Sequence, residues 1–353
     1  MSRAERVWQK TQGLDALVIC SPQNRYYLSG FTGSAGCVFI DGTHRYLLTD
    51  SRYVLQARQE APDFEIIETR KPFDSIVHLA REHEYKHIGI EARHTTVKTY
   101  DEIQQRFSDI KWVPATDLVE LERRVKDETE LMSLKQAARI ADEALASVVS
   151  QIRPGITEQE LAIALETAMR QKGSEGLSFP TIVASGPRGA LPHAKPSERQ
   201  LQADEWVTID FGAVYRGYHS DETVTIPVTN QARSRQLQAI YDIVYQAQKA
   251  GIAVVKPGIL ASEVDEVVRR VIIEAGFGEY FGHGTGHGVG LDVHEDPFLG
   301  PKPEHDMVLE AGMVITVEPG IYLPDMGGVR LEDMLVVTKE GSIRLTSWDK
   351  RLN

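Results

Sequence analysis

Short apolar runs separated by polar, helix-length stretches fill the first ~120 residues of the chain. The pattern predicts strands over Ala16–Cys20, Cys37–Ile40, Tyr46–Thr49, Glu65–Glu68 and His87–Glu91, each rich in β-branched or aromatic residues and bounded by turn formers. Helices are predicted over Phe73–His83 and Thr99–Phe107. Alternating strands and helices of this length make a small α/β unit. The run Gly30-Phe31-Thr32-Gly33-Ser34-Ala35-Gly36 is a turn region. It has neither the lysine of a P-loop nor the spacing of a dinucleotide fingerprint, so it reads as structural or as a domain-contact loop.

From Asp127 onward the periodicity is helical. Leu131, Leu134, Ala138, Ile140 and Ala144 recur on one face of a helix predicted over Asp127–Gln151, and Pro154-Gly155 stops it. Thr157 with Glu160 forms a capping box for a second helix through Arg170,. Further helices fit Arg235–Val255 and Glu263–Ala275, ended by Pro257-Gly258 and Gly276. Strands are predicted at Phe179–Ala184, Trp206–Gly212, Tyr218–Val228, Met313–Glu318 and Val329–Thr338. No internal repeat or low-complexity tract interrupts the pattern. The charged stretch Glu120–Glu128 is the natural boundary, giving domains 1–123 and 124–353.

Composition narrows the class. With 42% apolar and 25% charged residues, the chain is an ordinary globular protein of about two domains. No segment approaches the ~20 apolar residues of a membrane span. Met1-Ser2-Arg3-Ala4-Glu5-Arg6 leads into no apolar segment, so a secretory signal is not expected,. Cys20 and Cys37 are too few for a disulfide framework or a thiolate metal cage,. A cytoplasmic location follows. The net charge of −12 argues against a nucleic-acid binder. Part of it is accounted for if several carboxylates hold divalent cations, which the formal sum ignores.

Four patches carry candidate chemistry. In Thr208-Ile209-Asp210-Phe211-Gly212, strand alternation sends Val207, Ile209 and Phe211 to one face and Asp210 to the other,. Asp221 lies on the next strand, so the two aspartates can aim at one point; taken alone, both read more readily as surface or turn acids. In Gly282-His283-Gly284-Thr285-Gly286-His287-Gly288, continuing to His294, glycines space the histidines. Glycine permits positive φ and close backbone approach, which suits imidazoles crowded round a centre. Val317-Glu318-Pro319-Gly320 ends a strand on a carboxylate, and Gly327-Gly328-Val329-Arg330-Leu331-Glu332-Asp333 puts Arg330 and Glu332 on one face. An inward glutamate is costly unless paired or bound to metal.

In order, Asp-x10-Asp, HGxGHGxG followed by histidine, VEPGIY and GVRxED resemble the signature of metallopeptidases with the pita-bread fold. The resemblance is closest to the aminopeptidase P and prolidase branch and spans the whole chain, including Gly-Phe-Thr-Gly-Ser-Ala-Gly and Thr-Asp-Ser-Arg-Tyr near the front. It implies an α+β chain, with a pita-bread catalytic domain after a smaller creatinase-type N-terminal α/β domain. It also implies Asp210, Asp221, His287, Glu318 and Glu332 as ligands of two divalent ions. Four carboxylates balance two such ions, and the oxygen-rich set suits Mn²⁺, with Co²⁺, Fe²⁺ or Zn²⁺ as alternatives.

The expected reaction is attack by a metal-activated water on the carbonyl before proline. By the same resemblance His294 stabilises the oxyanion, His193 and His283 lie near the substrate, Glu318 shuttles the proton and Arg330 orients an aspartate ligand. The expected partners are short proline-containing peptides and a second copy of the chain in a homodimer. Prolidases similar to this chain carry an arginine four residues after the Val-His-Glu histidine; Phe298 stands there. That tilts the expectation from a strict dipeptidase toward aminopeptidase P. A non-catalytic binding protein on the same fold is the rival, although such relatives tend to lose ligands and this chain retains all five.

Overall fold

A computed structural model describes residues 1–229, 234–302 and 306–351. Contacts divide the chain into two compact units, Met1–Arg123 and Arg124–Asn353.

The first unit is a mixed six-stranded sheet with helices around it. Across the sheet the order is Glu65–Glu68, Arg45–Thr49, Cys37–Ile40, Ala16–Ile19, His87–Glu91 and Lys111–Ala115. Cys37–Ile40 runs antiparallel to both neighbours, and the other pairs are parallel. Ala16–Ile19 and Cys37–Ile40 are buried along their whole length, as expected of strands covered on both faces. The helices Pro72–Glu82 and Val97–Arg106 fall within one or two residues of their predicted limits. The glycine-rich turn is structural. Gly30 caps the helix Pro22–Ser29 in the left-handed region at φ 76°, a conformation that favours glycine. Buried Arg25 donates to the carbonyls of Gly33 and Gly36, at 2.5 and 2.7 Å. Cys20 and Cys37 form one cross-strand disulfide, which the cysteine count gave no reason to expect.

The second unit has two halves, each a helix pair on a sheet. In the first, Glu128–Val148 and Glu158–Gln171 cover a three-stranded sheet ordered Glu222–Pro227, Trp206–Phe211, Ile182–Ser185. Their shared core contains Ile140, Leu145, Leu161 and Leu165 with Val207, Ile209, Phe211 and Val224. Each such side chain contributes about 1.5–3 kcal/mol by burial. Both helices start on the capping boxes their sequences encode, at Asp127 and Thr157. In the second half, Arg235–Val254 and Ala261–Glu274 pack on a five-stranded sheet. Its order is Glu295–Leu299, Gly286–Gly288, Val314–Val317, Asp333–Val337, Ser342–Arg344. A two-stranded ribbon of Gly320–Leu323 and Gly327–Arg330 completes the framework.

Three predicted strands differ. Phe179–Ala184 begins only at Ile182, because Pro180 has no N–H for a ladder. Tyr218–Val228 is two strands broken at Ser220-Asp221. Val329–Thr338 is likewise two, broken at Leu331-Glu332, with its halves in different sheets. Both breaks fall at candidate acids.

Candidate metal centre

The five sequence-predicted ligands come from five separate segments. Asp210 lies within the strand Trp206–Phe211, paired to Thr223 and Ile182. Asp221 immediately precedes Glu222–Pro227, Glu318 immediately follows Val314–Val317, and Glu332 sits at the break before Asp333–Val337. A carboxylate at a strand end can turn inward without giving up ladder bonds. Each acid beside a strand is also tied by its backbone: Glu318 N donates to Thr285 O at 2.7 Å, Glu332 N to Thr223 O at 3.0 Å, and Asp221 N to Met334 Sδ at 3.2 Å.

His287 stands in the short strand Gly286–Gly288. A Cβ on Gly286 would lie 2.1 Å from the carbonyl oxygen of Thr316, and one on Gly288 would lie 2.4 Å from that of Asp296. Close approach is therefore why glycines flank the histidine. The positive-φ half of the expectation is not met, since no glycine from 282 to 290 has that conformation.

The donors converge. Ligand atoms lie within 4.8 Å of one another in the groups Asp210–Asp221–Glu332, His287–Glu318–Glu332 and Asp221–His287–His294. His287 Nε2 is 3.5 Å from both Asp221 Oδ2 and Glu318 Oε1. Its Nδ1 is 3.0 Å from Gly288 O, which places the proton on Nδ1 and leaves the Nε2 lone pair facing the carboxylates. Burial, and then the nearby His294, hold His287 down to about 4 in the metal-free chain. The imidazole is therefore neutral, and its approach to the carboxylates is not an ion pair.

The acids are in the reverse situation. Burial first, then repulsion from the neighbouring carboxylates, pushes Asp221 and Glu332 well above the usual range and Glu318 up to about 8. One oxygen each of Asp210 and Glu332 is buried without any hydrogen-bond partner. Such orphans are rare because each costs the full desolvation of the group. A cluster of four acids and a neutral imidazole with unpaired inward oxygens fits divalent cations and fits little else.

Arg330 is the counter-charge in place. It is buried, and it donates from Nη2 to Asp210 Oδ2 at 2.7 Å, from Nε to Thr223 Oγ1 at 3.1 Å and from Nη1 to Pro192 O at 3.1 Å. Nη1 also donates to the Tyr322 hydroxyl at 3.0 Å. That hydroxyl lies 2.8 Å from His283 Nε2, while His283 Nδ1 faces Gly284 O at 2.8 Å. Tyr322 thus donates to His283. Burial keeps that imidazole neutral, down to about 4. Nothing in the sequence sets Tyr322, the last residue of VEPGIY, apart as functional; its role depends on the ribbon that brings it beside Arg330.

A cavity of about 1220 Å³ opens onto the cluster, lined by all five candidate ligands together with His193, His283, His294, Phe298 and Arg330. His193 and His294 are exposed in it. The His294 ring centroid is 4.3 Å from that of His287.

The fold and site together are those of a metal-dependent peptidase. The chain matches the description Metallopeptidase family M24 over residues 132–339 and Creatinase/Prolidase N-terminal domain over residues 3–125. It belongs to this family, with the pita-bread catalytic fold, and is a hydrolase. A solved Xaa-Pro dipeptidase from Bacillus anthracis is 41% identical with a TM-score of 0.95, covering 99% of this chain and 98% of that one. A solved X-Pro aminopeptidase from Thermotoga maritima is 38% identical with a TM-score of 0.91, covering 99% of each chain. A Xaa-Pro dipeptidase from Pyrococcus horikoshii is 38% identical over 342 residues, or 96% of this chain and 94% of that one.

Proposed function

We propose that the chain hydrolyses the peptide bond before proline in short peptides with proline second, dipeptides among them. Two divalent ions, Mn²⁺ on the chemistry of the oxygen-rich donor set, would be held by Asp210, Asp221, His287, Glu318 and Glu332. The observation that carries this reading is the convergence of those donors around buried carboxylate oxygens that no protein group satisfies. Both kinds of Xaa-Pro peptidase appear among the similar proteins.

Divalent ions at these residues supply an activated water and polarise the scissile carbonyl. The protein's own groups do the rest. Arg330 fixes one oxygen of Asp210 and leaves the other for coordination,. Glu318, which lines the cavity, would take the proton that the attacking water loses and pass it to the departing proline nitrogen,. His294 and His193 are exposed toward the substrate and donate to the carbonyl oxygen as charge develops there,. His283 takes a positioning role, because Tyr322 already occupies its Nε2. An Xaa-Pro bond has no N–H, so the site needs no acceptor for one.

A homodimer acting in the cytoplasm completes the proposal. No helix among the described residues is long and apolar enough to cross a membrane. The Cys20–Cys37 bond runs against a cytosolic location, where thiols are kept reduced,. Alkylation of thiols in fractionated cells and light scattering of the pure protein test these two points. The activity is tested by adding Mn²⁺ to metal-free protein with Ala-Pro and Ala-Pro-Ala. Cleavage of either supports the reading; no turnover with any divalent ion returns the chain to a binding role.

A further inference from the structure

Five consecutive residues, Pro192 to Pro196, line the cavity that opens onto the acid cluster. The segment from Pro192 to the adjoining Ser197 is held at three points. Arg330 Nη1 donates to Pro192 O at 3.1 Å. Arg188 Nη2 donates to the carbonyl of Lys195 itself, at 2.5 Å. Glu158 Oε2 accepts from Ser197 N at 3.1 Å and from Ser197 Oγ at 2.7 Å. Glu158 is fully buried and also binds Arg188, with Nε 3.0 Å from Oε2, so the last two anchors share one carboxylate. Pro196 further restricts the backbone of Lys195.

The side chain on this fixed backbone is uncommitted. Lys195 is exposed, and among the described residues no carboxylate pairs with it. The other permanently cationic residue among those lining the cavity is Arg330, whose donors go to Asp210, Thr223, Tyr322 and Pro192. The other lining charges are acidic: Glu166, Asp210, Asp221, Glu318 and Glu332. Four of these acids are the candidate ligands, whose charge two divalent ions would balance, which leaves Glu166. A peptide cut close to its C-terminus must bring a carboxylate into this cavity, and a carboxylate taken out of water without a cation to pair with is costly. The apolar wall of Phe179, Pro180 and Phe298 suits the proline ring but offers nothing to its carboxylate.

We infer that Lys195 binds the free carboxylate of an Xaa-Pro dipeptide and sets a preference for substrates that end at proline. The inference rests on the Xaa-Pro reading above. It makes Lys195 a specificity residue that touches the substrate away from the reacting atoms. The fixed backbone limits the ordering needed on binding to the lysine stem alone.

The test compares Ala-Pro with Ala-Pro amide, which lacks the negative charge, in wild type, Lys195→Met and Lys195→Arg. Lys195→Met is expected to raise KM for the acid about tenfold more than for the amide. The effect should fall on KM rather than kcat, as loss of ground-state binding does, and Lys195→Arg should restore most of it. Equal changes for acid and amide, or none for either, overturn the inference. Failure of the Xaa-Pro reading is distinguishable, because wild type would then turn over neither compound. Lys195 is in that case judged by nuclear magnetic resonance titration of both compounds into the metal-free protein. A wild-type preference for the acid that Lys195→Met abolishes supports it, and no preference overturns it.

Discussion

Lys350 Nζ lies 2.7 Å from Glu222 Oε1, with both side chains buried. The same ammonium is 2.9 Å from Asp333 Oδ1. Glu222 follows candidate ligand Asp221 and Asp333 follows candidate ligand Glu332, so one lysine ties together the two strands that present those acids. Asp333 is held further by Thr346 at 2.6 Å and by Gln248 at 3.1 Å. Burial pushes Glu222 up to about 8 even so. Burial alone would lower Lys350, but its two carboxylates hold it at about 12.

Removing that lysine charge should therefore weaken the centre as well as the fold. Lys350→Met takes the cation from two buried carboxylates, leaving Glu222 without that bond and Asp333 with Thr346 and Gln248, a defect that costs about 3–5 kcal/mol. Denaturant melts of the metal-free protein should show that loss, and Mn²⁺ titration should show weaker binding. Unchanged metal affinity in a folded variant would mean that the lysine serves stability alone.

Arg330→Lys keeps the charge and loses the fork that spans Asp210, Thr223, Tyr322 and Pro192. Groups that orient a metal ligand typically contribute about 10–100-fold to affinity or activity. A fall of that size in kcat/KM on Ala-Pro is expected, with the bound-metal content measured alongside. Wild-type kinetics in this variant would remove Arg330 from the mechanism.

Metal should stabilise the folded chain by mass action. At free metal about 100 times the dissociation constant the gain is about 2.7 kcal/mol, read as a rise in Tm. Glu332→Gln removes the charge of the carboxylate whose Oε1 has no partner. That variant should lose most of the metal-induced rise, and with it the activity.

The pH dependence has a definite sign. In the metal-free protein Glu318 is held at about 8, with Asp221 and Glu332 also raised. The folded state therefore binds more protons than the unfolded chain between the ordinary carboxylate range and about pH 8. The metal-free protein should lose stability as pH rises through that window. Metal needs the carboxylates ionised, so binding at pH 7 should release protons and weaken as pH falls. His287, at about 4, stays neutral and does not compete. Calorimetry in buffers of different ionisation enthalpy measures the release; a zero count would contradict the assignment of these acids as ligands.

Local pattern was enough for the elements whose information is local. The capping box at Thr157 lies within four residues, and the alternation of Val207, Ile209 and Phe211 against Asp210 is a property of any half-buried strand,. The order of the acids, with glycines round His287, carried the family and the candidate donors. Convergence was not legible, since Asp210 and Glu332 are more than a hundred residues apart. Neither were the strand breaks at Asp221 and Glu332, because an interrupted ladder and a continuous one share the same apolar alternation. Lys350 beneath the acids and Glu158 holding Arg188 are long-range contacts, while Tyr322 meets Arg330, and Arg188 meets Lys195, only because the intervening chain folds back on itself. Sequence determined which chemistry the chain carries, because residue type and short-range spacing are written in it. Tertiary structure alone decided which charges are buried, paired or left free, because those depend on which distant segments the two sheets bring together.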